Sequence, residues 1–153
     1  MKVVVLKALP LAVLLLFVVG GCTSFGGSVS RLAASDLSCA PAELRVQAIG
    51  ELELLSSLTL RLYQAEGCQQ ERTYYCHSQR GCASQLQALG LDAATRHEVA
   101  RALHVRRTTS RARCPSDAER VVQQSQSLYR FEACDRDVIV HCRARGCETL
   151  GTY

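Results

Sequence analysis

Apolar and polar residues alternate in two stretches of the chain, near residues 45–76 and 120–142. The alternation is clearest where Val138 and Val140 follow an Asp-Arg-Asp segment, which is typical of a strand that begins after a turn. The pattern predicts three strands in each stretch, at residues 45–49, 58–66 and 72–76 and at residues 120–124, 128–133 and 137–142. The inward residues of the two middle strands are expected to be Tyr63, Ala65, Gly67, Tyr129, Phe131 and Ala133.

A helix is expected between these two stretches. Residues 86–105 contain good helix formers, and Asp92 stands at a suitable N-cap position. Gly90 separates this helix from a shorter turn. Residues 106–113 are basic and lack apolar periodicity, which is typical of a solvated linker. The Leu-rich residues 51–60 fit either a helix or a lengthened hairpin, and their periodicity does not decide between the two.

The start of the chain carries a targeting signal. Lys2 and Lys7 give a basic beginning, and the apolar residues 8–19 follow. A helix needs roughly 20 apolar residues to cross a bilayer, so this shorter stretch predicts a secretion signal rather than a stable span.

The segment Val19-Gly20-Gly21-Cys22 resembles the lipobox of bacterial lipoproteins, which has an apolar residue, two small residues and a cysteine in this order. The resemblance implies that residues 1–21 are removed as a signal peptide and that Cys22 carries a diacylglyceryl group and a fatty acyl chain such as palmitate. Several acyl chains make such an anchor stable. Thr23 is not the aspartate that holds some lipoproteins at the inner membrane, so the outer membrane is favoured. The alternative is an ordinary secretory signal in which Cys22 is incidental.

Eight further cysteines fall into two similar sets. They are Cys39, Cys68, Cys76 and Cys82, followed by Cys114, Cys134, Cys142 and Cys147. In both sets Leu-Tyr precedes the second cysteine at the same distance, and Arg-Gly directly precedes the fourth. This repetition predicts a tandem duplication. An even number of cysteines in an exported chain predicts disulfide bonds rather than zinc ligands, since zinc sites favour closer pairs.

Pairing is expected to stay within each set. In an antiparallel meander the start of the first strand lies beside the end of the second, which places Cys39 near Cys68. The remaining pair is then Cys76–Cys82, and the second set is expected to pair alike, as Cys114–Cys134 and Cys142–Cys147. The main alternative is Cys39–Cys76 with Cys68–Cys82.

The predicted fold class is α+β, mostly β, with two small disulfide-bonded β units of about three strands each, joined by a helical connector. The expected boundaries are a signal peptide at residues 1–21, a flexible tether at 22–37, a first unit at 38–84, a connector with a basic linker at 85–113 and a second unit at 114–153.

The mature chain also resembles a group of small cysteine-rich lipoproteins from myxobacteria and related GC-rich bacteria. The resemblance rests on the cysteine spacing and on Tyr-x-x-x-Gly-Cys at residues 63–68. The second half departs from this pattern, because Ala133 replaces the glycine and His141 precedes Cys142. The group has no established activity, so the resemblance implies an envelope location and an architecture but no substrate.

Charge gives one candidate binding site. The formal net charge is +4, but Lys2 and Lys7 lie in the signal, which leaves sixteen arginines against fourteen acidic residues. This balance argues against nucleic acid as a partner. The candidate anion-binding residues are Arg106, Arg107, Arg111 and Arg113. Guanidinium groups suit bidentate contacts with the phosphates of lipopolysaccharide or another acidic partner, whereas the alternative is that the run is only a solvated linker.

No residue pattern in the sequence indicates an enzyme, a metal site or a cofactor. His97-Glu98 begins like a zinc-protease signature, but the fifth position is Arg101 rather than histidine. Neither a Gly-x-Ser-x-Gly elbow nor a Gly-rich phosphate loop occurs. The sequence therefore predicts a non-enzymatic envelope lipoprotein with a structural or interaction role. Its expected partners are the membrane, through the lipid anchor, and a protein or an anionic envelope polymer.

Overall fold

The computed structural model describes residues 25–110, 115–134 and 136–153. The predicted signal peptide and the site residues Cys22, Arg111, Arg113 and Cys114 lie outside the described residues. The described helices are α1 (Phe25–Asp36) and α2 (Ala93–Thr109), and short 3-10 turns occur at Pro41–Glu43, Leu86–Leu89 and Ser116–Ala118. Neither described helix is long and apolar enough to cross a membrane.

The strands form one continuous sheet. They are β1 (Arg45–Glu53), β2 (Thr59–Gly67), β3 (Gln70–His77), β4 (Gly81–Ala83), β5 (Arg120–Gln123), β6 (Leu128–Ala133), β7 (Arg136–Arg143) and β8 (Gly146–Thr152). Their order in the sheet is β4-β3-β2-β1-β5-β6-β7-β8, and every neighbouring pair is antiparallel except β1 and β5. The prediction of a mostly β fold with helices and disulfides is confirmed. The described strands form a single sheet, so the two predicted tandem β units are not clearly distinct within it.

The parallel pairing of β1 with β5 joins the two halves of the chain. Leu52 lies opposite Val121, and both side chains are fully buried. On the other face of the sheet, Arg120 forms ion pairs with Glu51 and Glu53, and the hydrogen bond that it donates to Glu53 raises the pKa of Arg120. Apolar contact on one face and opposite charges on the other therefore hold the junction together.

Among the described residues, each half contains four strands rather than the predicted three. The additional strands β4 and β8 follow tight turns and include the Arg-Gly-Cys cysteines Cys82 and Cys147. Of the two alternatives for residues 51–60, the lengthened hairpin is correct. Strands β1 and β2 continue through this segment to a turn closed by a hydrogen bond from Leu54 N to Leu58 O of 3.0 Å.

Helix α1 occupies most of the segment expected to be a flexible tether, so that expectation is wrong for residues 25–36. Val29 and Ala33, which lie one turn apart, are fully buried, and Leu37 follows them into the same core. Its glycines, serines and alanines make this helix look like a linker in the sequence, but its apolar positions are buried in the core beside the sheet.

Helix α2 confirms the predicted helix and its cap. The Asp92 side chain accepts a hydrogen bond from Thr95 N at 2.8 Å, and this bond lowers the pKa of the carboxyl group. Gly90 ends the preceding turn in the left-handed conformation, as expected of a helix breaker. The helix continues to Thr109, past the predicted end, because Val105 and Thr109 are still buried.

The two helices cover opposite faces of the sheet. Leu62 and Ala65 point to opposite sides of β2, because they are three positions apart along a strand whose side chains alternate between faces. Leu62 belongs to the main core with Val105 of α2, whereas Ala65 belongs to a second core with Val29 of α1. The main core also draws on both halves of the sheet through Leu52, Leu60, Val121, Tyr129, Phe131 and Val140.

Three disulfides have both partners among the described residues, and all three agree with the expected pairing. Cys39–Cys68 ties the end of the α1 segment to the end of β2, with a Cα–Cα distance of 5.8 Å. Cys76–Cys82 and Cys142–Cys147 each join directly opposed residues of neighbouring strands. Cys134 is also disulfide-bonded, and Cys114, its expected partner, lies outside the described residues.

Candidate functional site

The arginine run predicted to bind anions does not form one site in the structure. Arg106 lies on α2 with a side chain only 17% exposed, and its Nη2 is 2.9 Å from Oε2 of the buried Glu119. The same guanidinium donates to the carbonyl oxygen of Ile49. Arg107 is exposed on the helix, and Arg111 and Arg113 lie outside the described residues. Arg106 is therefore a structural residue, and the interpretation of its surroundings as a solvated linker is wrong.

A different group of basic residues surrounds a groove between α2 and the β7–β8 hairpin. The groove has a volume of about 640 Å³. Its basic lining residues are His97, Arg101, His104, Arg143 and Arg145. The Cys142–Cys147 disulfide lies in its wall. None of the ten residues that line the groove is acidic.

The elements on either side place these side chains. His97, Arg101 and His104 follow one another at helical spacing, so they share one side of α2. Arg143 ends β7 and Arg145 lies in the tight turn before Gly146, which has a positive φ of 148°. A side chain with a Cβ rarely adopts this backbone conformation, so the glycine lets the hairpin close next to its disulfide.

The arginines of the groove differ in how fully they are paired within the chain. Arg101 donates to the carbonyl oxygen of Gln126 at 3.0 Å. Arg143 Nη2 lies 3.6 Å from the exposed carboxylate of Glu148, which also contacts His141. Arg145 is exposed, and it makes no ion pair with any described residue. The charge of Arg145 is therefore the least compensated of the three.

Three buried polar atoms in the neighbourhood of Arg101 lack hydrogen-bond partners within the described structure. They are Glu98 Oε2, Arg101 Nε and the hydroxyl of the fully buried Tyr129. Burial raises the pKa of Tyr129; Glu98 adds to the rise and Arg101 opposes it. The effects of Glu98 and Arg101 on this pKa show that both side chains lie close to Tyr129. His97, Glu98 and Arg101 also line a second depression.

The repeated Arg-Gly-Cys motif shows a difference between the halves. In the first half, Arg80 donates hydrogen bonds to the carbonyl oxygens of Leu89 at 3.1 Å and Gly90 at 2.9 Å. In the second half, Arg145 precedes Gly146 and Cys147 in the same way, but it faces the groove. Arg143 and Arg145 were not among the residues predicted from the sequence, although the repeated Arg-Gly-Cys motif was a signal for Arg145.

One group of potential metal ligands occurs among the described residues, but its chemistry does not suit a metal. Cys39, Glu43 and Cys68 have ligand atoms within 4.8 Å of one another, and Glu43 Oε2 is 3.2 Å from Cys68 Sγ. Both sulfur atoms belong to one disulfide, so neither is a thiolate that could bind zinc.

Comparison with known protein families, with curated proteins and with solved structures found no match.

Proposed function

We propose that this chain is a lipid-anchored protein of the bacterial cell envelope that serves as a non-enzymatic interaction module. The observation that carries the proposal is the disulfide framework in combination with the lipobox at Cys22. Disulfides persist in oxidising compartments such as the periplasm and are rare in the cytosol. The lipobox supplies a route to that compartment and a membrane anchor on arrival.

The start of α1 favours a body held close to the membrane. Only residues 23 and 24 separate Cys22 from Phe25, the first residue of the helix. A chain spans at most about 3.6 Å per residue, so the anchor and the folded body are at most about a dozen ångströms apart. The outer membrane remains the favoured location, with the body facing the periplasm or the cell surface.

The element order supports the tandem duplication as part of this proposal. Each half has a helix, a 3-10 turn and a four-stranded meander, in the same order. Cys76–Cys82 and Cys142–Cys147 occupy the same place between the third and fourth strands of their halves. The two copies then lie side by side in one sheet. Related chains with one or three copies of this unit would support the duplication, whereas relatives whose halves differ in element order would contradict it.

Lipid labelling tests the proposed anchor. Cells that express the full chain are grown with a clickable palmitate analogue, and the protein is expected to be labelled and to fractionate with membranes. Cys22→Ser is expected to abolish both the label and the cleavage of the signal peptide. Ser24→Ala is the matched control and is expected to behave as the wild type. Normal cleavage of the Cys22→Ser protein would overturn the proposal.

A second candidate function is binding to an anionic envelope polymer such as lipopolysaccharide. The basic groove favours it, because five basic residues and no acidic residue line that surface. Retention of the protein on immobilised lipopolysaccharide should fall as salt rises if charge carries the binding. Retention that is independent of salt would contradict this function.

A further inference from the structure

We infer that the groove between α2 and the β7–β8 hairpin is a binding site for a phosphate group. The inference rests on the proposed interaction role and names the ligand chemistry of that role. The residues that carry it are Arg101, Arg143 and Arg145, which converge on the groove from two elements that are distant in sequence.

The charge of the groove favours a polyanionic group over a neutral one. Three guanidinium groups and two imidazoles line it, and acidic side chains are absent from its lining. Guanidinium forks bind phosphate oxygens in bidentate geometry. A phosphate offers more acceptor oxygens than a carboxylate, so it can engage several forks at once. Glu148 lies beside the groove and forms an ion pair with Arg143. Its side chain is 59% exposed, so solvent weakens this ion pair.

The comparison between the halves shows that Arg145 is free for a ligand. Its counterpart Arg80 has its guanidinium occupied by two carbonyl oxygens of the chain. Arg145 has the same motif around it but makes no ion pair with a described residue. A phosphate in the groove would give Arg145 the acceptors that Arg80 finds within the protein.

The buried polar atoms give a second and independent indication. Tyr129 is fully buried, and its hydroxyl has no hydrogen-bond partner within the described structure; the same holds for Arg101 Nε. Buried polar groups normally have a partner, so an unpaired buried atom calls for an explanation such as an ordered water or a bound ion. Of these two side chains, Arg101 lines the groove, so the indication rests on Arg101.

The size of the groove indicates what carries the phosphate. A volume of about 640 Å³ falls in the range of sites for small molecules, so it fits a phosphorylated sugar or a lipid headgroup. A membrane-anchored body meets both kinds of phosphate. The shared chemistry is the phosphate group, and the experiment below separates the two sources.

The test uses the mature, lipidated chain in detergent micelles and isothermal titration calorimetry. One titration adds inorganic pyrophosphate, and a second adds phosphatidylglycerol or phosphatidylcholine in mixed micelles. We expect binding of pyrophosphate or of phosphatidylglycerol, which are anionic. We expect none of phosphatidylcholine, because its choline cation cancels the charge of its phosphate and is repelled by the arginines. Binding of pyrophosphate alone indicates a soluble phosphate ligand, and binding of phosphatidylglycerol alone indicates a headgroup.

Charge-neutral variants locate the site. Arg143→Gln combined with Arg145→Gln is expected to weaken binding by at least about tenfold, since two charge-assisted contacts are lost. Arg107→Gln, which removes an exposed arginine of α2 outside the groove, is expected to leave the affinity within about twofold. Arg145→Gln alone removes no ion pair of the described residues, so it tests the site without risk to the fold.

Two results would overturn the inference. One is the absence of heat with pyrophosphate and with phosphatidylglycerol, and the other is an equal loss of affinity in Arg107→Gln and in the groove variants. Neither result affects the lipid anchor, because that proposal depends on labelling at Cys22 and not on the groove.

Discussion

The guanidinium of Arg106 and the carboxylate of Glu119 form an ion pair between α2 and the start of β5, with Nη2 and Oε2 2.9 Å apart. Glu119 is only 3% exposed, and its other carboxylate oxygen accepts a hydrogen bond from the Ser110 hydroxyl. Its backbone oxygen accepts from Glu51 N at 3.0 Å. Because Arg106 also donates to Ile49 O, this pair connects the helix to both halves of the sheet.

Removal of Arg106 should therefore destabilise the protein strongly. We expect Arg106→Ser to lower the free energy of unfolding by about 3 kcal/mol, because the buried Glu119 loses its partner. Arg107→Ser, which changes an exposed arginine one position along, should change it by less than about 0.5 kcal/mol. Urea denaturation measures both variants. Equal stabilities of Arg106→Ser and Arg107→Ser would show that the Arg106–Glu119 pair does not stabilise the fold.

The disulfides should differ in their contribution to stability. Cys39–Cys68 closes a loop with a sequence separation of 29, and Cys76–Cys82 closes one with a separation of 6. If a disulfide acts by lowering the entropy of the unfolded chain, these two bonds stabilise the fold by about 3.6 and about 2.2 kcal/mol. We expect the double variant Cys39→Ala/Cys68→Ala to unfold at lower urea than Cys76→Ala/Cys82→Ala. The reverse order would indicate that native packing, and not loop length, decides.

Helix α1 should be necessary for the fold rather than act as a tether. Val29 is fully buried against the sheet, whereas Leu32 on the same helix is 37% exposed. We expect Val29→Asp to cost about 3 kcal/mol or more, since it buries an unpaired charge. Leu32→Asp is the matched control and should cost less than about 1 kcal/mol. A Val29→Asp protein as stable as the control would restore the tether interpretation.

Stability should decrease at high pH because of Tyr74. This side chain is buried beneath α1, and its hydroxyl donates to Asp36 Oδ2 at 3.1 Å. Burial, and then Asp36, raises the pKa of Tyr74 to about 12. An unfolded tyrosine loses its proton near pH 10, so the native state binds this proton more tightly. The resulting stabilisation is complete below about pH 10 and is lost as the pH rises through about 12.

Two variants examine the origin of this pH dependence. The free energy of unfolding of Tyr74→Phe should fall less at alkaline pH than that of the wild type, because this hydroxyl is absent. Urea denaturation at a series of alkaline pH values measures the difference. Asp36→Asn removes the neighbouring negative charge but leaves the tyrosine buried, so the pKa of Tyr74 should fall only part of the way back. Absorbance of tyrosinate follows that titration. An unchanged pH dependence in Tyr74→Phe would assign the effect to other groups.

Several features of the protein could be predicted from the sequence because they depend on neighbouring residues. The alternation of apolar and polar side chains predicted six of the eight described strands, and Asp92 indicated the start of α2. Strand direction in a meander was sufficient to pair Cys39 with Cys68. These signals are local, since a cap or a hairpin is determined within a few residues of chain.

The fold as a whole and the candidate site depended on contacts that no local pattern records. The pairing of β1 with β5 joins segments from different halves of the chain. The alternation of apolar and polar residues within a strand does not indicate which strand lies beside it, so this pairing could not be predicted. Arg106 looked like part of a linker because its partner Ile49 lies 57 positions away. The groove likewise requires α2 to pack beside the β7–β8 hairpin before Arg101 and Arg145 can face one another across it. The sequence therefore determined the secondary-structure elements and the disulfide pairs within each half. The burial of the apolar face of α2 against the sheet decided which charged side chains became structural and which stayed available for a ligand.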